Sequence, residues 1–411
     1  MSREYEKFLN DHGKYFCALP FTEIANSAQG HSMLCCYSET VEADLYKDSF
    51  INNWKNSKVL NDIRQKMLDN KPVKSCTRCY QYEQSGAYNM SKRYSITKRY
   101  EDIDPDFLNK IKKDKHLELR TLDIKFGNKC NLACIMCDGH SSSLHVKEKE
   151  QHKVPLHLKK HIPDDAHNTN FHEKQLNELL GTAHTIQKIK FTGGEPTLLE
   201  GFREFIKRLS ETKYARNISI MMVTNGTTDL TKMIDIMNKF QKFEVHWSTD
   251  GMGSTFEYIR WPATWNKVFN NQYKFNRLIK EKGFNNISSV LTSAIQLLNL
   301  DQLPDLIRYT EENNFDEFIP VLVMWPKPLD LAILPDDIKE EVINEVLLLI
   351  RSAGSPFEAT KYSFVSDFIE LIKKRKTTYT YKNTQDLLAY YDKARGYSAE
   401  KMCSILGRIS Q

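Results

Sequence analysis

Between Leu119 and Met324 the sequence alternates short runs of β-branched or aromatic residues with longer segments of helical period. The candidate strands are residues 119–126, 186–191, 218–223, 243–247, 288–295 and 318–324. The candidate helices between them are residues 202–211, 231–239, 265–282 and 303–313. Repeats of this kind pack into a parallel sheet covered by helices, with functional residues at the carboxyl ends of the strands. The pattern predicts an α/β fold, a partial (β/α)6 TIM-like barrel.

The segments on either side of this repeat suggest two further domains. A chain of 411 residues is long enough to form a large domain and a smaller one. We expect a small cysteine-rich domain in residues 1–100, the barrel in 115–326 with a long insertion at 138–184, and a helical C-terminal tail in 327–411. The tail has no chemical motif and contains helical patterns at residues 342–350 and 364–372.

Composition narrows the class of protein and its compartment. The 58 basic and 53 acidic residues give a net charge of +5, which is too small over this length to indicate a nucleic-acid partner. No apolar run approaches the ~18 residues that span a bilayer, and the charged N-terminus lacks the apolar core of an export signal. We therefore expect a cytoplasmic protein without a membrane partner. In that compartment thiols stay reduced, so the nine cysteines are better explained as metal ligands than as disulfides.

Three of these cysteines follow the first candidate strand directly. Cys130, Cys134 and Cys137 have the spacing C-x3-C-x2-C, which lets three thiolates reach one metal centre. A closed structural site normally needs four protein ligands, whereas three thiolates on a four-iron cluster leave one iron open for a cofactor or substrate. The triplet predicts an open metal site, the alternative being a zinc site completed by a distant histidine.

Polar residues also follow the next three candidate strands. Gly193 and Gly194 permit a close approach of a ligand to the backbone, and Glu195 offers a carboxylate to an ammonium group. Asn225 follows the third strand, and Ser248 and Asp250 follow the fourth. These side chains could hydrogen-bond a ribose, although the last two are also common in turns and helix caps.

Together these motifs resemble the radical S-adenosylmethionine (SAM) superfamily. The resemblance implies a [4Fe-4S] cluster bound by the three cysteines and by SAM, the cofactor. It implies that Gly193, Gly194 and Glu195 bind the cofactor, that Asn225, Ser248 and Asp250 lie near its ribose, and that Arg260 binds its carboxylate. Met136 takes the place of the aromatic residue that commonly lies near the adenine. A reductant such as flavodoxin or ferredoxin would supply the electron for cofactor cleavage.

A second group of cysteines lies near the N-terminus. Cys17, Cys35, Cys76 and Cys79 could close one site, and their chemistry fits zinc or an iron-sulfur cluster equally well. Cys36 adjoins Cys35 and is an alternative ligand, but the spacing from the preceding glycine favours Cys35.

This N-terminal segment, with its Trp-Lys-Asn-Ser run at residues 54–57 and Arg64, resembles twitch or SPASM-type domains. The resemblance implies one auxiliary [4Fe-4S] cluster bound by the four cysteines. Such domains usually follow the barrel, whereas this segment precedes it.

The substrate is the weakest inference. Relatives with an auxiliary cluster often modify peptides or proteins, so the resemblance implies a polypeptide substrate. Modification of RNA or of a small molecule remains an alternative, as does a non-catalytic iron-sulfur or zinc protein. A nucleic-acid partner is disfavoured by the charge balance, and the sequence assigns no general acid or base.

Overall fold

The structure is a computed structural model that describes residues 3–38, 40–42, 49–162, 173–352 and 362–409. The strands are β1 (Glu23–Asn26), β2 (Ser32–Met33), β3 (Thr40–Glu42), β4 (Thr121–Lys125), β5 (Lys188–Thr192), β6 (Ser219–Thr224), β7 (Lys242–Ser248), β8 (Ile287–Ile295) and β9 (Glu317–Leu322). The first helices are α1 (Arg3–His12), α2 (Leu19–Thr22), α3 (Phe50–Asn56), α4 (Lys58–Leu68), α5 (Thr77–Ser85), α6 (Lys92–Ile103), α7 (Pro105–Asp114), α8 (Ser143–Gln151), α9 (Glu173–Gly181) and α10 (Glu200–Ser210). The remaining helices are α11 (Ile234–Met237), α12 (Gly253–Ile259), α13 (Trp265–Lys282), α14 (Leu303–Glu312), α15 (Asp336–Ser352), α16 (Ser363–Lys374), α17 (Tyr381–Arg395), α18 (Ala399–Met402) and α19 (Leu406–Ile409).

The chain divides into two compact units. The first unit comprises Met1–Gly127, Thr169–Met221 and Lys239–Gln241, and the second comprises Asn128–Asn168, Met222–Asn238 and Lys242–Gln411. The boundary between them falls within β6. The domain limits expected from the sequence stay predictions.

In the first unit the strand order is β3-β2-β1-β4-β5. Strand β1 pairs antiparallel with β2 and parallel with β4, and β4 pairs parallel with β5. Asp123 lies opposite Ala25 on one side and opposite Lys190 on the other. Because side chains alternate along a strand, Thr121, Asp123 and Lys125 share one face of the sheet.

Aromatic and aliphatic side chains from the N-terminal helices form the core of the first unit. One cluster joins Phe16, Phe21, Phe107 and Ile111. A second cluster packs α4 against the segment that contains Cys17 and Leu34. Burial of these side chains, at about 25 cal/mol per Å² of apolar surface, holds the cysteine segments beside the sheet.

In the second unit β7, β8 and β9 pair parallel. Phe243, Val245 and Trp247 are fully buried on one face of β7, and Trp247 packs edge-on against Phe275 of α13. The opposite face of β7 carries Glu244, His246 and Ser248, because strand side chains alternate. One face of this strand is therefore apolar and the other polar.

The predicted α/β class and its strand–helix repeat are confirmed. Strands β4 to β9 lie at the six predicted positions, with ends that shift by no more than two residues, and α13 begins and ends where the sequence predicted. The prediction of one helix over residues 231–239 was wrong, because the chain there forms a 3₁₀ turn (Leu230–Met233) followed by α11. Strands β1 to β3 were not predicted. Part of the expected insertion, residues 163–172, lies outside the described residues. No helix in the described ranges is long and apolar enough to cross a membrane.

Candidate cofactor and metal sites

The three cysteines of the triplet lie on one loop of the second unit, residues 130–137, which we call the cysteine loop. The amide of Cys137 donates to the carbonyl oxygen of Cys134 at 2.8 Å, which closes a tight turn. Burial raises the pKa of the Cys134 thiol. Burial, together with the neighbouring Cys134, Asp138 and Cys130, raises the pKa of Cys137. The three thiols therefore lie near one another, as the spacing predicted.

Backbone hydrogen bonds to the segment after α12 fix the path of the cysteine loop. The amide of Ala133 donates to the carbonyl of Trp261 at 2.7 Å, and the amide of Ile135 donates to the carbonyl of Ile259 at 2.8 Å. These two bonds resemble a short ladder.

The first turn of α8, at the start of the predicted insertion, supports the other end of the loop. The hydroxyl of Ser142 donates to the carbonyl of Leu132 at 2.5 Å and caps α8 by accepting from the His145 amide. The amide of Cys130 donates to the hydroxyl of Ser143 at 3.2 Å. The predicted insertion therefore begins with residues that support the cysteine loop.

A buried group of charged residues, not predicted from the sequence, anchors the centre of the loop. Arg395, from α17 in the C-terminal tail, donates to the carbonyl of Ala133 at 2.6 Å and forms a bidentate pair with Glu148 at 2.7 and 3.0 Å. Nε2 of His145 lies 2.7 Å from the carbonyl oxygen of Cys134, and burial lowers the pKa of this histidine to about 4. The Arg395 side chain is fully buried and stacks on Trp261.

Arg260 and Asp250 form a second buried ion pair beside Cys134. Nε of Arg260 donates to Oδ2 of Asp250 at 2.7 Å, and the other carboxylate oxygen accepts from the Ala294 amide at 2.7 Å. Nη1 of Arg260 lies 3.9 Å from the sulfur of Cys134. Among the described residues, Nη2 of Arg260 donates no hydrogen bond, so it can bind an anionic group. The predicted contact of Arg260 with the cofactor carboxylate, and of Asp250 with the ribose, stay predictions.

Asn225, at the end of β6, contacts the cysteine loop. Its Nδ2 donates to Oδ1 of Asn131 at 2.9 Å and lies 3.8 Å from the sulfur of Cys130. Its Oδ1 accepts from the amide and hydroxyl of Thr227 at 3.0 and 2.7 Å. This asparagine therefore positions Cys130, whereas its predicted role near the ribose stays a prediction.

Apolar side chains surround the thiols. Cys134 packs with Leu132, Phe256 and Val268, and Met136 packs against the same cluster. Ser248 ends β7 opposite Thr292 of β8. The proposed contacts of Met136 with adenine and of Ser248 with ribose stay predictions.

In the first unit, the predicted Gly-Gly-Glu turn follows β5. Gly193 has φ +114°, and a Cβ at this position would lie 2.9 Å from the carbonyl oxygen of Gly127. The same oxygen accepts from the Gly194 amide at 3.0 Å. Glu195 is fully buried, and one of its carboxylate oxygens accepts from the amide and hydroxyl of Thr197. The glycine at position 193 is therefore required for the turn to approach the end of β4.

The four N-terminal cysteines surround one cavity in the first unit. The cavity has about 350 Å³ of space and is lined by Cys17, Cys35, Cys76 and Cys79. Cys36 does not line it. Burial is the main cause that raises the pKa of all four thiols, and it raises that of Cys76 to about 12. The structure thus brings together the four predicted auxiliary ligands.

The Trp-Lys-Asn-Ser run and Arg64 have a structural role beside this cavity. Ser57 caps α4. Arg64 is buried and donates to the carbonyls of Pro20 and Trp54 at 2.8 and 2.6 Å. Burial lowers the pKa of its guanidinium to about 10. Arg64 therefore joins α3 and α4 to the segment that carries Cys17.

A buried ion pair fixes the opposite wall of the cavity. Arg93 of α6 pairs with Glu83 of α5, and its Nε donates to Oε1 of Glu83 at 2.9 Å. Nη1 of Arg93 donates to the carbonyl of Phe16 at 3.3 Å. Because α5 carries Cys79 and Phe16 precedes Cys17, this pair holds two of the four cysteines in place.

Both cysteine sets fit [4Fe-4S] clusters. In the described part of the chain, no three His, Cys, Asp or Glu side chains converge on a single ion position. A four-iron cluster does not need such convergence, because each thiolate binds a different iron. Three neighbouring thiols with a free guanidinium donor suit a cluster that also binds a carboxylate-bearing cofactor, and four thiols around a cavity suit a fully ligated cluster.

Comparisons with known proteins give one family match and one curated relative. Residues 124–310, somewhat less than half of the chain, match the Radical SAM superfamily, in agreement with the resemblance of the sequence motifs. Among curated proteins, the sporulation killing factor maturation protein SkfB of Bacillus subtilis (strain 168) is 23% identical over 184 residues, 45% of this chain and 38% of SkfB. The chain thus matches about two-fifths of the length of that relative.

Two solved structures are similar at a lower level. SuiB of Streptococcus suis bound to S-adenosylmethionine gives a TM-score of 0.42 at 15% identity, covering 77% of this chain and 66% of SuiB. The protein anSMEcpe with bound AdoMet gives a TM-score of 0.42 at 16% identity, covering 57% of this chain and 61% of that protein.

Proposed function

We propose that this protein is a radical SAM enzyme that binds a [4Fe-4S] cluster through Cys130, Cys134 and Cys137 and cleaves S-adenosylmethionine reductively. The observation that carries the proposal is the cysteine loop, whose three neighbouring thiols lie beside a guanidinium with a free Nη2 donor. When bound, the cluster supplies the electron that cleaves the cofactor to methionine and a 5'-deoxyadenosyl radical, which abstracts a hydrogen atom from the substrate. A flavodoxin or ferredoxin is the proposed electron donor.

The residues of this chain position the cofactor and exclude water. Arg260 binds the cofactor carboxylate through Nη2, while Asp250 fixes the guanidinium plane. Gly193, Gly194 and Glu195 bind its amino group, and Asn225 and Ser248 lie near its ribose. Leu132 and its apolar neighbours, with Met136, keep the reacting centre dry, which limits quenching of the radical by solvent.

We assign the N-terminal cavity to one auxiliary [4Fe-4S] cluster bound by Cys17, Cys35, Cys76 and Cys79. The assignment is supported by the four thiols that line the cavity and by the absence of Cys36 from its lining. Two buried arginines, Arg64 and Arg93, fix the surrounding backbone.

The proposed substrate is a peptide or protein. SkfB is named as a maturation protein for a sporulation killing factor, and transfer of that substrate class to this chain is part of the proposal. If it is correct, a short precursor gene is expected beside the gene for this chain, and its product gains a mass change on co-expression.

The test is anaerobic reconstitution followed by iron counting and a dithionite-driven assay for 5'-deoxyadenosine. The wild type is expected to bind about eight irons and to release 5'-deoxyadenosine. The triple variant Cys130→Ala/Cys134→Ala/Cys137→Ala is expected to bind about four irons and release none.

Cys403→Ala is the matched control, because this buried cysteine lies outside both sets. It is expected to keep both iron content and cleavage. A fully iron-loaded wild type that releases no 5'-deoxyadenosine would contradict the proposal. So would cleavage that survives in the triple variant.

A further inference from the structure

A second cavity of the first unit lies between α6 and strands β1, β4 and β5, with about 740 Å³ of space. One face of α6 lines it, because residues 92, 96, 99 and 100 lie on the same side of a helix. The strands contribute Glu23, Thr121, Asp123, Lys188 and Lys190. The function proposed above uses none of these side chains.

Two buried carboxyl groups, those of Glu23 and Asp123, line this cavity. Glu23 is 8% exposed, and no described residue donates a hydrogen bond to its carboxyl. The neighbouring Asp123 is 2% exposed, and its Oδ1 has no hydrogen-bond partner among the described residues, although Oδ2 accepts from Lys190 at 3.2 Å. Buried acceptors without donors are uncommon in folded proteins, so these oxygens suit a ligand that brings N–H groups.

The rim of the cavity has the opposite charge. Lys92 is half-buried and Arg99 is exposed, and neither has an ion-pair partner in the described part of the chain. With Lys188 and Lys190, the lining carries four basic and two acidic side chains, an excess of at least two positive charges. This excess remains whether Glu23 is ionised or protonated, so the rim favours an anionic group.

We propose that this cavity binds an acidic segment of the polypeptide substrate, with a side-chain carboxylate at Arg99, Lys92 and Lys188 and backbone N–H groups at Glu23 and Asp123. A peptide segment of this kind supplies both an anion and N–H donors. This proposal rests on the polypeptide substrate proposed above and adds that the bound segment of that substrate is acidic.

The position of the cavity agrees with such a role. It shares Leu19, Cys35 and Lys92 with the cavity of the predicted auxiliary cluster, and Cys36 lines this cavity alone. A peptide bound here would therefore lie against the segment that carries an auxiliary ligand.

The test measures binding of three probes to the full reconstituted chain by calorimetry: N-acetyl-tetraglutamate amide, N-acetyl-tetraglutamine amide and glutarate. The acidic peptide is expected to bind at least tenfold more tightly than either of the others, because only it has both charge and N–H donors. Raising the salt concentration from about 50 to about 300 mM should weaken its binding. Equal affinity for the two peptides, an equal affinity for glutarate, or no binding of the acidic peptide would overturn the proposal.

Variants locate the binding. Arg99→Gln and Lys188→Gln are each expected to weaken binding of the acidic peptide about tenfold, because each removes one charged hydrogen bond. Lys113→Gln removes the same charge from the exposed side of α7 and should change the affinity less than twofold. Equal effects of all three substitutions would refute the assignment. Iron content and substrate-free cofactor cleavage, measured on the same samples, separate a failure of this site from a failure of the proposed function.

Discussion

The most demanding prediction concerns Arg395, the residue of the C-terminal tail that reaches the cysteine loop. In Arg395→Met the guanidinium over Trp261 is lost, Glu148 remains buried without this partner, and the carbonyl of Ala133 loses its donor. We expect a large loss of stability in the second unit, together with a loss of the cluster from the cysteine loop.

The magnitude follows from the burial of the pair. The Arg395 and Glu148 side chains are 0% and 4% exposed. Removing one partner of such a pair lowers stability by about 3–5 kcal/mol. The total free energy of unfolding of a typical domain is about 5–15 kcal/mol. At about 1.4 kcal/mol per tenfold change, the unfolded fraction should rise about a thousandfold. The double variant Arg395→Met/Glu148→Leu should recover about half of the loss, because no buried charge remains, while the orphaned carbonyl still costs about 1–3 kcal/mol.

Urea unfolding and iron counting are the assays, and Arg375→Met is the matched control. Arg375 also lies in the tail and forms a bidentate pair with buried Asp330, but it does not contact the cysteine loop. Its loss should lower stability and leave iron content unchanged in folded protein. The reasoning is refuted if Arg395→Met lowers the free energy of unfolding by less than about 1 kcal/mol. It is also refuted if the two variants bind the same number of irons per chain.

Three further predictions address the first unit. Cys35→Ala should lower the iron content by about four per chain, whereas Cys36→Ala should leave it unchanged; the opposite result would make Cys36 the auxiliary ligand. Gly193→Ala should cost about 1–3 kcal/mol and weaken cofactor binding, since its φ is +114° and the carbonyl at the end of β4 lies in the way. Gly283→Ala, at φ +66° with open space around it, should lower stability by only about 1 kcal/mol and leave cofactor binding unchanged. If the two substitutions lower stability and cofactor affinity equally in calorimetry, the steric explanation is contradicted. Burial and the neighbouring Asp123 raise the pKa of Glu23 to about 8, so the folded state holds this proton more tightly than the unfolded state. Between pH 5 and pH 8 the wild type should therefore lose up to about 1.4 kcal/mol of stability per pH unit relative to Glu23→Gln. If the free energies of unfolding of the two proteins, measured in urea, change equally with pH over this range, the shift is contradicted.

The strands of the repeat could be predicted because buried parallel strands are short apolar runs, each followed by a longer helical pattern. Strand β1 could not, because its four residues, Glu-Ile-Ala-Asn, have neither alternation nor an apolar run. It is a strand because of its pairing with β4, ninety-eight residues away. The predicted helix at 231–239 was wrong for a similar reason, since Asp229 caps a 3₁₀ turn that ends at Met233.

The candidate sites also combine local sequence patterns with contacts between residues that are far apart in the sequence. The cysteine triplet and the Gly-Gly-Glu turn are local patterns, and each could be found from its residues and the strand that precedes it. The support of Ala133 by Arg395 joins residues 262 positions apart, so no local pattern contains it. Glu148 and His145 could not be predicted either, because the charged sequence of α8 is typical of an exposed helix.

The hydrogen bond from Arg395 to Ala133 also sets an order of events during synthesis. The cysteines leave the ribosome long before their anchor does, because 262 residues separate the two. At about 5–20 residues per second, the loop waits about 13–50 s for its last support. Iron delivered to the nascent chain in that interval would meet an unfinished loop, so the proposed cluster is expected to assemble only after translation has passed α17.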